Sequence, residues 1–341
     1  MKPWFELAGP EREAVLSSSV FLSRNLEGVP FPPMLDSSQK KNLLGKAREA
    51  ILGEKSLLAN LFHLVPMSSL SGTEAVALAE RGVILPSFLG EEKSRGLFFS
   101  EDESQSVMVN GEDHFLLQVR TAGLSLHETY RRADQLDTIL DKSLHFAFDK
   151  RLGYLTRNPA LLGTGMVVSI DLHLPALTET GAAVRISADL RPLGIVLRGI
   201  SGVSLGLCGA VYRLSNRMTL GITEQEAVTN LCGIAGQLIA QERAERNKLI
   251  RDLSVQDMVG RSLGIFSSAR LLNYGEFLRL ASVVRFGIAA GFLKSISFEK
   301  IDSLLMYAQP ANLALRAGHG LSPDEERSAR AELVRNTFMR K

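Results

Sequence analysis

One stretch holds residues whose types and spacing could do chemistry. Val107 to Gln118 reads VMVNGEDHFLLQ and sets Asn110, Glu112, Asp113 and His114 between apolar strand formers. Carboxylates and an imidazole lying against apolar surface must be paired, hydrogen-bonded or shifted in pKa, and enzymes use such positions as bases. A hydrogen-bonded strand terminus would use the same residues, so both readings stay open. Cys208 and Cys232 show neither metal-ligand spacing nor a disulfide framework. They sit in apolar, glycine-containing text as buried small hydrophobes, which suits a reducing cytoplasm.

The elements that must position this stretch follow from periodicity. Leu97–Phe99 and Val107–Val109 read as adjacent strands joined by an acidic turn, and Met166–Leu172, Ala183–Ala188 and Ile195–Leu197 as further strands. Helices are expected from Ser37, over Gly72–Arg81, and from a capping box at Ser125–Glu128 to about Phe148. Another capping box, Thr223–Glu226, opens a helix with the stripe Val228, Leu231, Ala235, Leu238 and a solvated run at Gln241–Lys248. Residues 1–14 form an irregular arm, the segment SSSVF after it reads strand-like, and prolines 30, 32 and 33 break the chain after that segment. Beyond Arg251 the text turns helical over Ser254–Leu263, Ala269–Leu280 and Phe298–Ala308, with a last helix opened at Ser322–Glu325. Strands among long helices without a βαβ rhythm predict an antiparallel-rich α+β fold. The division is an arm over 1–13, a domain over 14–245 and a helical unit over 246–341.

Composition narrows the function. The 341 residues carry a net charge of +2, with 45% hydrophobic and 22% charged residues. Nothing in that balance calls for a nucleic-acid partner or a membrane surface. The N-terminus lacks a signal-peptide core, and the apolar run Ala281–Leu293 is interrupted by Arg285 and too short to span a bilayer. A cytoplasmic protein is expected.

Four ordered segments resemble a known family. NGEDHFL resembles the N-E-E-D-H-[LI]-R motif of the phosphagen (guanidino) kinases, which move phosphate from ATP to a guanidinium group. LGTGMVVSIDLHLPAL (Leu162–Leu177) is similar to N-x-G-T-G-[LM]-R-A-S-V-x-[IL]-H-L-P, RGISG (Arg198–Gly202) to R-G-x-x-G-E, and VLSSSVFLSRNL (Val15–Leu26) to V-[IL]-S-S-R-[IV]-R-L-[AS]-R-N-[LI]. The connecting text resembles the bacterial protein arginine kinases of that family, from about Val15 to Arg330. The resemblance implies a guanidino-kinase-like domain, a curved antiparallel sheet flanked by helices, followed by a C-terminal helical dimerisation domain. Leu304, Leu305 and Met306 could serve that interface or the core.

The same motifs show what has changed. Phosphoryl transfer needs dense positive charge on the phosphates, and arginine supplies it bidentately. The motif arginines fall here on Ser19, Phe21, Leu116 and Val167, and only Arg198 keeps its type. Arg24 survives at a position with a structural role. Arg120, Arg157 and Arg185 lie near enough in sequence to compensate. The family's guanidinium-facing carboxylate falls on Glu112, while the second falls on Val203 and the motif cysteine on Asn158. The family's phosphoarginine pocket, R-D-x-x-R-A, meets its best match at Glu326–Ala331, where Arg327 and Arg330 are the remnant. At roughly 1.5–3 kcal/mol per charge-assisted hydrogen bond, the missing arginines remove on the order of 6–12 kcal/mol from phosphate binding. The expectation is a pseudokinase that acts as an interaction or regulatory partner, a homodimer with a McsA-like zinc-binding activator or a Clp-type unfoldase as companion. The alternative is an active ATP:protein-arginine phosphotransferase using Glu112 as base, Mg-ATP as cosubstrate and a protein substrate. A third possibility is a binding module for another ligand in the remodelled, more apolar pocket. No metal site follows from the residues.

Overall fold

Alternation of side chains builds the centre of the molecule. In the computed structural model, which describes residues 1–90, 94–200 and 209–339, the first strand is β1 (Val15–Arg24), followed by α1 (Ser37–Leu52), β2 (Phe62–Pro66) and α2 (Gly72–Glu80). Next come β3 (Gly96–Ser100), β4 (Gln105–Val109), β5 (Phe115–Ala122) and α3 (Leu126–Leu144). A small hairpin, β6 (Phe148–Asp149) and β7 (Gly153–Tyr154), precedes β8 (Met166–His173), α4 (Pro175–Glu179) and α5 (Ala182–Leu190). β9 (Ile195–Gly199), β10 (Val211–Asn216) and α6 (Glu224–Leu249) complete the sheet and its backing. The helical unit comprises α7 (Leu253–Ser268), α8 (Tyr274–Ala289), α9 (Phe298–Tyr307), α10 (Pro310–Ala317) and α11 (Pro323–Met339).

Eight strands pair antiparallel in the order β2-β3-β4-β5-β1-β8-β10-β9, as the α+β reading expects. Register separates two faces. Val20 and Leu22 share a face with Leu117, Val119, Val168, Ile170 and Leu214, all buried beneath α3 and α6. α3 contributes Ala133, Leu136 and Leu140, and α6 contributes Val228, Leu231, Ala235 and Leu238. Burying each such Leu or Val is worth about 1.5–3 kcal/mol, so this face holds the sheet together. The opposite face carries Ser19, Phe21 and Ser23 beside Leu116, Gln118, Arg120, Val167, Ser169 and Asp171. Its polar residues mark where chemistry could occur.

Several local expectations are corrected. Ala183–Ala188 is helical, not a strand: Gly181 turns the chain with φ +69° and α5 buries Ala183 and Leu190. α3 stops at Leu144, where His145 takes a left-handed φ of +54°, and Ser125 makes no side-chain cap because its hydroxyl bonds Ala122 O at 3.3 Å. Residues 269–273 are not helical; α8 starts after the Asn273 cap, whose Oδ1 accepts from Glu276 N at 2.8 Å. The run at Gln241–Lys248 is not wholly solvated. Glu242 is buried and accepts from the Ala176 and Leu177 amides at 3.0 and 2.9 Å, capping α4. The Thr223–Glu226 box forms as read, with Thr223 N to Glu226 Oε2 at 2.8 Å and Glu226 N to Thr223 Oγ1 at 3.2 Å.

The arm is anchored despite its irregular backbone. Trp4 and Phe5 are buried, Tyr307 donates to Glu6 at 2.9 Å, and Arg12 pairs with Glu299. Arg285 of α8 pairs with Asp302 at 2.8 Å and donates to Glu13 O at 3.2 Å, so arm and helical unit meet there. Glu80 of α2 accepts from the Ala311 and Asn312 amides at 3.0 Å each, seating α10 on the sheet domain. Leu304 lies in the helical core with Ile301, and Leu305 packs against it, so Leu304 belongs to the core rather than an open surface. Cys232 is a half-buried free thiol against the main core, and Cys208 lies outside the described residues. Among the described residues no helix is long and apolar enough to cross a membrane.

Candidate active site

The turn between β4 and β5 resolves the first ambiguity. Asn110 sits at φ +64° and its Nδ2 donates to Ser94 O at 2.7 Å and Lys40 O at 3.0 Å. Asp113 accepts from Asn25 Nδ2 and from the Arg157 amide, both at 2.7 Å. His114 Nδ1 accepts from Leu26 N at 3.0 Å, which leaves the proton on Nε2, 2.8 Å from Pro30 O. Burial holds the imidazole below the usual histidine pKa, consistent with this neutral tautomer. Asp113 and His114 tie the turn to the segment after β1, and Asn110 ties it to α1 and to Ser94 before β3, so for these three the strand-terminus reading holds. Glu112 differs. It is exposed, makes no hydrogen bond or ion pair among the described residues, and lines a cleft.

That cleft encloses about 260 Å³ on the polar face of the sheet. Glu112 stands on its wall, and Arg198, exposed on β9, lies in the same cleft. Between them, from β1, β5 and β8, come Phe21, Leu116 and Val167, joined by Leu85, Phe88 and Leu161. Three of the four positions where the family motifs carry arginine therefore meet in one place, and all three are hydrocarbon. A polyanion brought against these three side chains would lose hydration without gaining donors from them.

The fourth position lies behind this patch. Ser19 faces Arg120 across the β1–β5 pair and accepts from its Nε at 2.9 Å. The Arg120 guanidinium is buried, sits 5.2 Å from the Trp4 ring centroid, and comes so close to Gly82 that a Cβ there would meet Nη1 at 2.1 Å. Burial lowers its pKa to about 10, which still leaves it charged at neutral pH. The charge missing at Ser19 thus persists one strand away, walled off by the arm and Gly82 rather than open to the cleft. Arg157 and Arg185 are exposed and do not line the cleft.

A partly buried ion pair adjoins the same face and does not follow from the sequence reading. Arg213 of β10 binds Asp171 of β8 bidentately at 2.7 and 2.9 Å, and Ser17 donates to Asp171 at 3.1 Å. Burial pushes the Asp171 pKa upward, but Arg213, Arg120 and Ser17 outweigh it and hold the carboxyl below its usual range. Arg213 reaches the cleft with its charge already matched. The signal was available: an acid at every-other-residue spacing inside an apolar strand must face a polar partner.

Several fold-bearing residues of the motifs hold backbone and core in place. Arg24, fully buried on the helix-backed face, grips Asp137 through Nε and Nη2 at 2.8–3.1 Å and lies 3.5 Å from the Tyr154 ring centroid. Gly163 takes φ +100°, and a Cβ there would meet Thr219 O at 2.1 Å. Gly165 takes φ +60° with Arg24 Nη1 2.8 Å from where its Cβ would lie. His173 is buried with Nε2 2.8 Å from Ser282 of α8. Asn158 accepts from Ala160 N at 3.1 Å as the cap of a short turn, away from the cleft lining. Val203 and Gly202 lie outside the described residues. The phosphoarginine remnant does not form an open pair of cations. Arg330 is fully buried, donating to Ala308 O at 2.8 Å and Leu272 O at 3.1 Å and pairing with Glu326, while Arg327 is at the surface with Asp324. Among the described residues no cluster of His, Cys, Asp and Glu could hold a metal ion.

Known proteins match this arrangement along its length. Residues 45–245 match the family model of the ATP:guanido phosphotransferase C-terminal catalytic domain, and residues 252–341 that of the protein-arginine kinase McsB C-terminal domain. The chain is 37% identical to the protein-arginine kinase of Caldanaerobacter subterraneus subsp. tengcongensis, over 97% of this chain and 98% of that one. It is 38% identical to the Symbiobacterium thermophilum protein-arginine kinase, over 97% and 95% of the two chains. Among solved structures, the duplicated taurocyamine kinase of Schistosoma mansoni with bound transition-state-analogue components aligns at TM-score 0.62 and 28% identity, covering 69% of this chain and 34% of that chain. A lombricine kinase aligns at TM-score 0.61 and 20% identity, over 71% and 69%, which speaks for the fold alone. Four motifs in order, a guanidino-kinase sheet and relatives matched nearly end to end place this chain in the protein-arginine kinase family of ATP:guanido phosphotransferases.

Proposed function

We propose that this family member has lost phosphoryl transfer and acts through binding, as a pseudokinase. One observation carries the reading: Phe21, Leu116 and Val167 line the same cleft as Glu112 and Arg198. Glu112 can still accept a proton or a guanidinium, but a base without a positioned phosphate contributes only about 10²–10⁴-fold. Three positions of the cradle that would align a triphosphate are hydrocarbon, Arg213 is matched by Asp171, Arg120 is enclosed behind Trp4, and Arg198 alone among the arginines lining the cleft has no acidic partner among the described residues. In this reading the protein works in the cytoplasm as a homodimer through its helical unit over 246–341, where Leu253, Met258 and Leu271 are exposed. Its companions are a McsA-like activator and a Clp-type unfoldase. Incubation with Mg-ATP and an arginine-rich protein should give no phosphoarginine by mass spectrometry under non-acidic conditions.

A second reading, an active ATP:protein-arginine phosphotransferase, draws on the names of the relatives and on Glu112 standing unpaired in the same cleft as Arg198. Formation of phosphoarginine that vanishes in Glu112→Ala would decide for it.

A further inference from the structure

We propose that the cleft binds a small amphiphile, a monoanionic carboxylate carrying a short apolar chain, with the carboxylate at the β8–β10 end. The inference rests on the reading that phosphoryl transfer is lost, and it names the ligand class of the same cleft. Strand register grades the floor from hydrocarbon to polar. Leu116 stands opposite Ser23, and Phe21 opposite Val167. Two residues further along β8, Ser169 stands opposite Ser215. Two further again, Asp171 stands opposite Arg213, which in turn stands opposite Arg198 of β9. Side chains two apart share a face, so one floor runs from hydrocarbon at Phe21, Leu116 and Val167 to donors at Ser169, Arg213 and Arg198.

Three observations define the head group. Ser169 is only 2% exposed, and its Oγ lacks any hydrogen-bond partner although it lines the cleft. A buried hydroxyl without a partner is costly, and an acceptor oxygen of a ligand satisfies it. Asp171 takes Nε and Nη2 of Arg213 and leaves Nη1 without a partner among the described residues. Arg198 is exposed in the cleft with no acidic partner among the described residues, so this end offers a single unmatched positive charge. A monoanion neutralises that charge, whereas the charge of a triphosphate exceeds it. Glu112, in the turn before Leu116, stands at the other end of the floor and repels an anion from there, which fixes the orientation. The hydrocarbon end gains from being covered by an apolar chain. A volume of about 260 Å³ holds a short chain with its head group, not a folded domain. Such a group comes either from a free aliphatic acid or from the C-terminal residue of a chain that ends in an apolar side chain.

Isothermal titration of the full chain without nucleotide tests this, using octanoate, octanamide, acetate and N-acetyl-leucine. Octanoate should bind at least about tenfold more tightly than octanamide, which keeps the chain and loses the charge, a difference of about 1.4 kcal/mol. The same margin should separate it from acetate, which keeps the charge and loses the chain. Arg198→Gln should weaken octanoate about tenfold and leave octanamide unchanged, and Ser169→Ala should weaken octanoate several-fold without lowering the melting temperature. Octanoate binding tighter than N-acetyl-leucine supports the site as one for a free acid, and the reverse order supports it as one for a chain terminus. No octanoate binding, or equal binding of octanoate and octanamide, overturns the proposal on the unaltered chain alone. Phosphoarginine is assayed separately with Mg-ATP and an arginine-rich protein. Its formation would sink the pseudokinase reading, whereas its absence together with failed carboxylate discrimination would sink the carboxylate site alone.

Discussion

The two faces of one sheet have fared differently. On the helix-backed face, Arg24 holds Asp137 with three hydrogen bonds and stacks on Tyr154, and the apolar rows beneath α3 and α6 are filled. On the open face of the same strands, Ser19 and Phe21 stand where the family motifs carry arginine. The positions alternate along β1, so residues one apart obey different constraints. A buried guanidinium cannot be removed without stranding its carboxylate, whereas a cationic cleft residue without a required ligand can become hydrocarbon at no cost to folding. Motif matching scores both faces alike; physical chemistry separates them.

The largest expected effect breaks the helix-backed side. Arg24→Ala should cost about 3–5 kcal/mol in denaturant unfolding, because it leaves Asp137 buried and unpaired. Burial already raises the Asp137 pKa despite Arg24. The variant should therefore recover stability relative to wild type as pH falls and Asp137 takes a proton. A loss below about 1 kcal/mol would show that the two faces are equally dispensable.

Next comes a cross-strand exchange on the open face. Ser19→Arg would press a second guanidinium against buried Arg120 and should destabilise by about 1–3 kcal/mol. Ser19→Arg combined with Arg120→Ser should recover most of that loss, and the coupling energy of the double-mutant cycle measures it. Additive effects would mean that Arg120 does not occupy the space of the missing arginine.

The end of β8 carries a smaller, pH-dependent effect. His173 is buried against α8, and burial with the Arg285 and Arg246 charges holds its pKa well below the usual value. A histidine with a depressed folded pKa gives stability that is complete above about pH 6.5 and lost as pH falls below it. The unfolding free energy should therefore drop on acidification, by up to about 1.4 kcal/mol per pH unit for this group, and less steeply in His173→Gln. Smallest is the capping contrast: Thr223→Ala should cost about 1 kcal/mol, and Ser125→Ala almost nothing, since only Thr223 caps its helix.

Much of this was legible in the sequence because motif spacing and alternation carry it. The paired strands 97–99 and 107–109 and the stripe of α6 follow from period and residue type, and the structural part of Arg24 from the family resemblance. Ala183–Ala188 was misread as a strand because its branched residues Val184 and Ile186 look extended, while the turn at Gly181 that starts a helix left only a glycine as its mark. Glu242 hides in a charged run, since which charge is buried depends on α4 arriving from elsewhere. The same holds for the cleft: Phe21, Leu116 and Val167 were known as replacements, but their convergence, and the enclosure of Arg120 by Trp4 and Gly82, depend on register and the arm's docking.

The central claim is that the open face has lost its phosphate cradle. Isothermal titration of the intact chain with Mg-ATP tests it most directly, alongside a variant carrying Phe21→Arg, Leu116→Arg and Val167→Arg together. The account predicts no measurable heat of binding for the wild type and the appearance of binding only when the three arginines are restored as a set. Micromolar Mg-ATP binding by the unaltered chain would contradict it.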